Sequence, residues 1–297
     1  MTIPVLASAA AAAVSLAVHQ AESAVRVRDG RRGAPPRDLA DSVAGATAGW
    51  EAVDAASSDG LRLRAWLFRP RHWNGRAAIV LHGFTGSRLS VLDQARLLVE
   101  AGFAVLAPDS RGHGESGGAI VSFGIHEQHD LRLWGDFLCG RLRVGRYSVL
   151  GESMGAAVAL QTLASDERID AAVADAPFAL FEDVAVERFA DRIGVPPVFA
   201  RTALRPVLLT AWNYIRLRYG IDLRQARPID AMSRTSKPVL LIHGSADPSI
   251  SPRHSERLHA ANPAASRLWI VPGAGHAESV KADPRGYRDR VLAAFGA

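Results

Sequence analysis

Ser153 stands in Gly151-Glu152-Ser153-Met154-Gly155, between the apolar run Tyr147–Leu150 and the small-residue run that begins Ala156-Ala157. A serine hydroxyl is a weak nucleophile at neutral pH and needs both a base and a site for the oxyanion. The flanking residue types predict strand, sharp turn and helix, with glycines where β-carbons would collide as the helix packs back on the strand. Such a turn lifts the Ser153 hydroxyl into the open. It also places the Met154 N–H in the first turn of a helix, where it can donate to a developing negative charge. An acid and a histidine follow downstream. Asp247 ends the loop after the apolar run Pro238–Ile242, and His276 ends the loop after Leu268–Val271. His276 is placed to take the Ser153 proton, with Asp247 holding the imidazole and stabilising its charged form. Asp175, at another strand end, is the rival acid. Asp247 is preferred because its strand directly precedes the histidine strand.

A second oxyanion donor should come from the loop after an earlier central strand. Ala77–Leu81 followed by His82-Gly83-Phe84-Thr85-Gly86 fits. Gly83 permits an unusual backbone path, and the Phe84 N–H can then converge with the Met154 N–H. With Pro108-Asp109-Ser110-Arg111-Gly112-His113-Gly114-Glu115-Ser116, His243-Gly244-Ser245-Ala246-Asp247 and Gly275-His276, these pieces span roughly residues 50 to 297. In this order, each at the end of a predicted strand, they resemble the α/β-hydrolase superfamily, and most of all bacterial esterases and lipases of the monoglyceride-lipase and BEM46-like type. The resemblance implies a mostly parallel eight-stranded sheet with helices on both faces and a small helical cap. It implies a serine hydrolase that cleaves carboxylic esters of small, largely apolar substrates through an acyl-enzyme, with no cofactor and no metal. The same triad serves thioesterases, acyltransferases, peptidases and cofactor-free perhydrolases, which stay open as alternatives. A non-catalytic binding module is disfavoured by the complete set of triad pieces.

The remaining pieces of these motifs read as structural. Asp109, Arg111 and His113 lie in a tight glycine-flanked turn, with Arg111 expected to satisfy buried groups near the nucleophile loop. His82 should brace the oxyanion loop. Glu152 is either a solvent-facing or ion-paired acid, or a carboxylate that raises the histidine pKa by favouring its protonated form.

These residues need a scaffold. The chain has 297 residues, 48% of them hydrophobic and 22% charged, enough for a sizeable core in one large domain. Two alternating runs, Trp50–Ser57 and Leu61–Phe68, flank Ser58-Asp59-Gly60 and predict a hairpin. Continuous apolar runs then alternate with helical stretches from Ala77 to Ala174, the pattern of a sheet covered on both faces. The pattern breaks between Phe178 and Arg234, where helical stretches are expected at Phe181–Ile193, Pro197–Tyr214 and Leu223–Ser233. This is the cap candidate, at about 178–234 within a domain of 49–297. Its aromatic residues either pack on the main domain or form an acyl pocket, and Phe84, Phe178, Phe181 and Trp212 are the pocket candidates.

The formal charge of +5 is carried almost wholly by arginine. No basic stretch has interleaved aromatics, which excludes a nucleic-acid partner. Cys139 is the only cysteine, so no intramolecular disulfide can form. Residues 1–25 are apolar and Ala-rich, and 26–48 reads as a basic linker. The first segment reads as a membrane anchor, a signal peptide, or a helix resting on the domain. Membrane-associated or cytoplasmic placement is favoured over export, with membrane contact through the N-terminus or the cap. Oligomeric state leaves no signature in the sequence.

Overall fold

The computed structural model describes residues 3–27 and 36–297. Eight strands form one sheet in the order β1-β2-β4-β3-β5-β6-β7-β8. The strands are β1 (Ala48–Ala56), β2 (Arg62–Pro70), β3 (Ala77–Leu81), β4 (Ala104–Pro108), β5 (Tyr147–Glu152), β6 (Ile169–Asp175), β7 (Val239–Gly244) and β8 (Ser266–Val271). β1 pairs antiparallel with β2, and β2 with β4. All remaining pairs are parallel. β3, β4, β5 and β7 are buried along their whole length. Strands with helices on both faces need an apolar side chain at every position, and their sequences are near-continuous apolar runs. β1 lies at the sheet edge, and most of its inward positions alternate with exposed ones.

Helices cover both faces. On one face α4 (Glu127–Leu142) and α5 (Met154–Leu163) bury Leu131, Trp134, Leu138 and almost all of α5. On the other face α2 (Arg37–Ala44), α3 (Leu92–Glu100) and α12 (Pro284–Ala294) enclose a second apolar core with Phe68, Phe103, Tyr287 and Val291. α2 departs from the expected linker: Ala40, Val43 and Ala44 are buried against this core. The linker residues 28–35 lie outside the described residues.

Between β6 and β7 lie α6 (Phe181–Ile193), α7 (Pro197–Thr202), α8 (Arg205–Tyr219) and α9 (Pro228–Met232). The single helix expected over Pro197–Tyr214 is two helices, broken at Ala203-Leu204, and the second runs on to Tyr219. Pro206 opens α8 in the first turn, where its missing N–H costs nothing. α10 (Arg253–Ala261) and α11 (Ser279–Ala282) complete the fold.

α1 (Ile3–Val25) rests on the cap. Ala17, Ala21 and Val25, spaced by four, are buried. Glu22 accepts hydrogen bonds from Tyr214 and Tyr219 of α8, each at 2.6 Å, and pairs with Arg26. Burial would raise the Glu22 carboxyl, but these donors hold it down at about 2. Arg26 continues into a β-bridge with Ile120, so the helix end is fastened to the loop before α4. Among the described residues no helix is long and apolar enough to cross a membrane.

Candidate active site

Ser153 joins β5 to α5 with φ 52° and ψ −113°, a backbone region that L-residues avoid. A β-carbon on Gly151 would lie 2.3 Å from the Gly155 carbonyl oxygen, and one on Gly155 would lie 2.4 Å from the Leu81 carbonyl oxygen. Both are well inside van der Waals contact, so the two glycines are what let strand and helix approach this closely. The Ser153 N–H donates to the Asp175 carbonyl at 2.7 Å, which pins the turn from the neighbouring strand.

His276 Nε2 lies 2.9 Å from Ser153 Oγ, and its Nδ1 lies 2.7 Å from Asp247 Oδ2. With Nδ1–H donating to the carboxylate, Nε2 presents a lone pair to the serine hydroxyl. Asp247 is itself well held. Its Oδ1 accepts the Ser249 and Ile250 N–H groups at 2.8 and 3.0 Å, and its Oδ2 lies 3.2 Å from His243 Nε2. Burial would raise this carboxyl, yet the bonds from His243, His276 and the Ile250 N–H hold it well below the usual carboxylate range. Asp247 therefore stays ionised, as a partner for an imidazolium must.

Asp175 does not touch His276. It is fully buried behind the turn, where Oδ1 accepts from Ser279 Oγ at 3.0 Å and Oδ2 has no partner among the described residues. Burial pushes its carboxyl up to about 8, reinforced by the charges of Glu152 and Asp247. Glu152 is also buried rather than solvent-facing, and burial raises its carboxyl too. It faces the Gly83 N–H and Gln94 Nε2, each at 3.4 Å.

Phe84 and Met154 bracket the serine. Met154 is the first residue of α5, where backbone N–H groups have no intrahelical acceptor. Among the described residues the Phe84 N–H meets no protein acceptor. Gly83 has an ordinary φ, unlike the unusual path expected. Its requirement is closeness instead, because a β-carbon there would lie 3.3 Å from Ser153 Cβ. The loop is braced by His82, the role its position suggested, and also by His113. His82 Nδ1 donates to the Gly83 carbonyl at 2.8 Å and its Nε2 accepts the Ser110 N–H at 2.9 Å. Burial, aided by His113, lowers the His82 pKa to about 4, so the ring is neutral. His113 reaches the Phe84 carbonyl. Arg111 satisfies the buried carboxylate of Asp130 and also pairs with Asp59. Asp109 instead binds the buried Arg88.

A cavity of about 230 Å³ opens beside this site. Phe84, Phe181 and Trp212 line it, as the sequence suggested; Phe178 does not, being packed behind Phe123 and Phe181. Phe123, which the sequence reading passed over, stacks on Phe181 at 3.9 Å and completes an aromatic floor. One wall comes from α1 through Ala17, Gln20, Ala21 and Ala24, and Arg188 and Arg192 of α6 also line the cavity. An Ala-rich segment far from every motif gave no local signal that it would reach the site. Spacing on α6 did carry one, since Phe181, Val184, Arg188 and Arg192 recur at three- and four-residue intervals on one face.

A profile of the alpha/beta hydrolase fold family matches residues 78–198. The chain is 31% identical over 223 residues to the uncharacterized protein YqkD of Bacillus subtilis, covering 74% of this chain and 71% of YqkD. It is 30% identical over 242 residues to the uncharacterized protein Rv2307c of Mycobacterium tuberculosis, covering 80% and 76%. Among solved structures, the Pyrococcus furiosus esterase Pf2001 matches with a TM-score of 0.69 at 24% identity, over 91% of this chain and 97% of that one. A hydrolase from Pseudomonas aeruginosa matches with a TM-score of 0.59 at 22% identity, over 83% and 99%. At these identities the two structures share a fold with this chain.

Proposed function

The chain belongs to the α/β-hydrolase superfamily, and from that premise we propose that it is a serine hydrolase cleaving carboxylic esters of small, largely apolar substrates. One observation carries the reading: the unbroken hydrogen-bonded chain from Ser153 through His276 to Asp247, placed beside an apolar cavity. Ser153 Oγ attacks the ester carbonyl as its proton passes to His276 Nε2. The carbonyl oxygen becomes an oxyanion, for which the Phe84 and Met154 N–H groups are the donors. Each such donor typically contributes about 2.7–4 kcal/mol to the transition state. The intermediate collapses, His276 returns the proton to the leaving alcohol, and the acyl group stays on Ser153. Water then gives a proton to His276 and attacks the acyl-enzyme, which releases the acid and restores the serine hydroxyl. Nothing in these steps calls for a metal, and among the described residues no cluster of metal-binding side chains occurs.

The test is hydrolysis of p-nitrophenyl esters from acetate to palmitate by the full chain and by Ser153→Ala, with fluorophosphonate labelling alongside. Ester turnover that falls on the order of a thousandfold or more in the variant, with labelling that needs Ser153, supports the reading. A folded protein that labels at Ser153 yet cleaves no ester would shift the assignment to thioester, peptide or acyl-transfer chemistry. A folded protein that neither labels nor cleaves would remove Ser153 as nucleophile.

A further inference from the structure

Arg188 is the unexplained group in the cavity. It is an exposed residue that lines an otherwise largely apolar cavity, to which Phe84 of the site also contributes. Among the described residues its side chain has no hydrogen-bond or ion-pair partner, which is also true of Arg205 and Arg216, but it is the cavity-lining arginine left without one. Arg201 binds Asp183 at 2.8 Å, Arg224 binds Asp222 at 2.7 Å and Arg227 binds Asp230 at 2.7 Å. Two acids of α6 are committed elsewhere: Asp183 also binds Arg257, and Glu187 faces His254. Arg192, the neighbouring cavity arginine, is held by Gln20 of α1.

The position of Arg188 is specific. It follows Phe181 by seven residues on the same helical face, about 10 Å along the axis at 1.5 Å per residue. Phe181 lies on the aromatic floor that leads through Phe123 to Phe84. Desolvation where the side chain meets the cavity walls pulls the guanidinium down from its ordinary range although the residue as a whole is exposed, and the Asp247 carboxylate opposes that shift, so Arg188 lies within electrostatic reach of the triad. Arginine stays charged in such surroundings. An apolar cavity with one unpaired guanidinium is built for an apolar ligand that ends in an anion.

We propose that Arg188 selects esters that carry a carboxylate or similar anion separated from the scissile carbonyl by a short apolar spacer. This rests on the serine-hydrolase reading and narrows its substrate class. The anion takes no part in bond making or breaking. It anchors one end of the substrate so that the ester lies over Ser153.

Two matched pairs of substrates test it, each compared by kcat/KM. In the acyl pair, the p-nitrophenyl monoester of a dicarboxylic acid is set against the p-nitrophenyl ester of the monoacid of equal length. In the alcohol pair, the butyrate ester of a hydroxy acid is set against the butyrate ester of the matching neutral alcohol. The wild type should prefer the anionic member of one pair, and that pair identifies which side of the ester carries the charge. Arg188→Gln should lower the anionic-to-neutral ratio by about tenfold or more, the size of a lost charge-assisted hydrogen bond. Arg188→Lys keeps charge and stem and should retain part of the preference. Arg188→Glu should turn the preference toward an ester with a terminal ammonium. No anionic preference in either pair, or a ratio unchanged in Arg188→Gln, overturns the proposal while neutral esters are still cleaved. Loss of all ester cleavage by the wild type would instead overturn the underlying reading.

Discussion

Four residues at this site hold positive φ without being glycine: Phe123, Ser153, Ala176 and Ala277. Among the described residues the only other one is Arg143, at the end of α4. Each such conformation costs of order 1–3 kcal/mol and persists only where the surroundings over-determine it. Here the surroundings include two buried acids, and Asp175 makes their effect measurable. Its folded carboxyl is raised to about 8, while in the unfolded chain it ionises near its ordinary value of 3.8. The folded state therefore binds a proton that the unfolded state releases. The stabilisation is complete below about pH 4 and is lost as pH rises toward about pH 8. We predict that Asp175→Asn, which keeps an acceptor for Ser279, flattens this dependence. In thermal melts from about pH 5 to about pH 9, the wild type should lose more stability than the variant. Parallel curves would mean that Asp175 is not protonated in the folded protein.

At the scale of elements, the strand-turn-helix around Ser153 has almost no slack. Gly155→Ala would put a methyl group 2.4 Å from the Leu81 carbonyl, against backbone that cannot swing aside. We predict a loss of more than about a hundredfold in ester turnover, with a lowered melting temperature, because a displacement of about 1 Å at the nucleophile is enough for that. Near-wild-type turnover would show that α5 can shift outward without cost. This element was legible in the sequence because strand, glycines and helix each obey a local rule. The parallel strands were legible for the same reason, since burial on both faces writes a continuous apolar run. The hydrogen-bonded order Ser153, His276, Asp247 followed from loop positions after those runs. Other parts were not local. α2 was read as linker because its buried positions are Ala40, Val43 and Ala44, small residues that give a short helix little apolar signal. Pro206 sat inside an expected helix and marked instead the start of a new one. Glu152 lies in a motif whose spacing says nothing about burial, and only the packing of Gln94 and Gly83 against it shows that it faces inward.

At the scale of the whole molecule, the cavity joins parts that are remote along the chain. α1 supplies one wall, α6 and α8 supply another, and the loops after β3 and before α4 supply the floor. Glu22 and its two tyrosines tie the first wall to the second. We predict that removing residues 1–27 leaves the triad in place but opens the cavity on the α1 side. The optimum in a p-nitrophenyl ester series should then shift toward longer acyl chains and broaden, and the melting temperature should fall as Ala211, Trp212 and Ile215 gain exposure. An unchanged chain-length profile would show that α1 covers the cap without shaping the space beneath it. The shared wall has a wider meaning. Because α1 closes one side of the cavity, a cut after Val25 or a bulky group fused to α1 becomes, on the proposed reading, a change in which molecules reach Ser153.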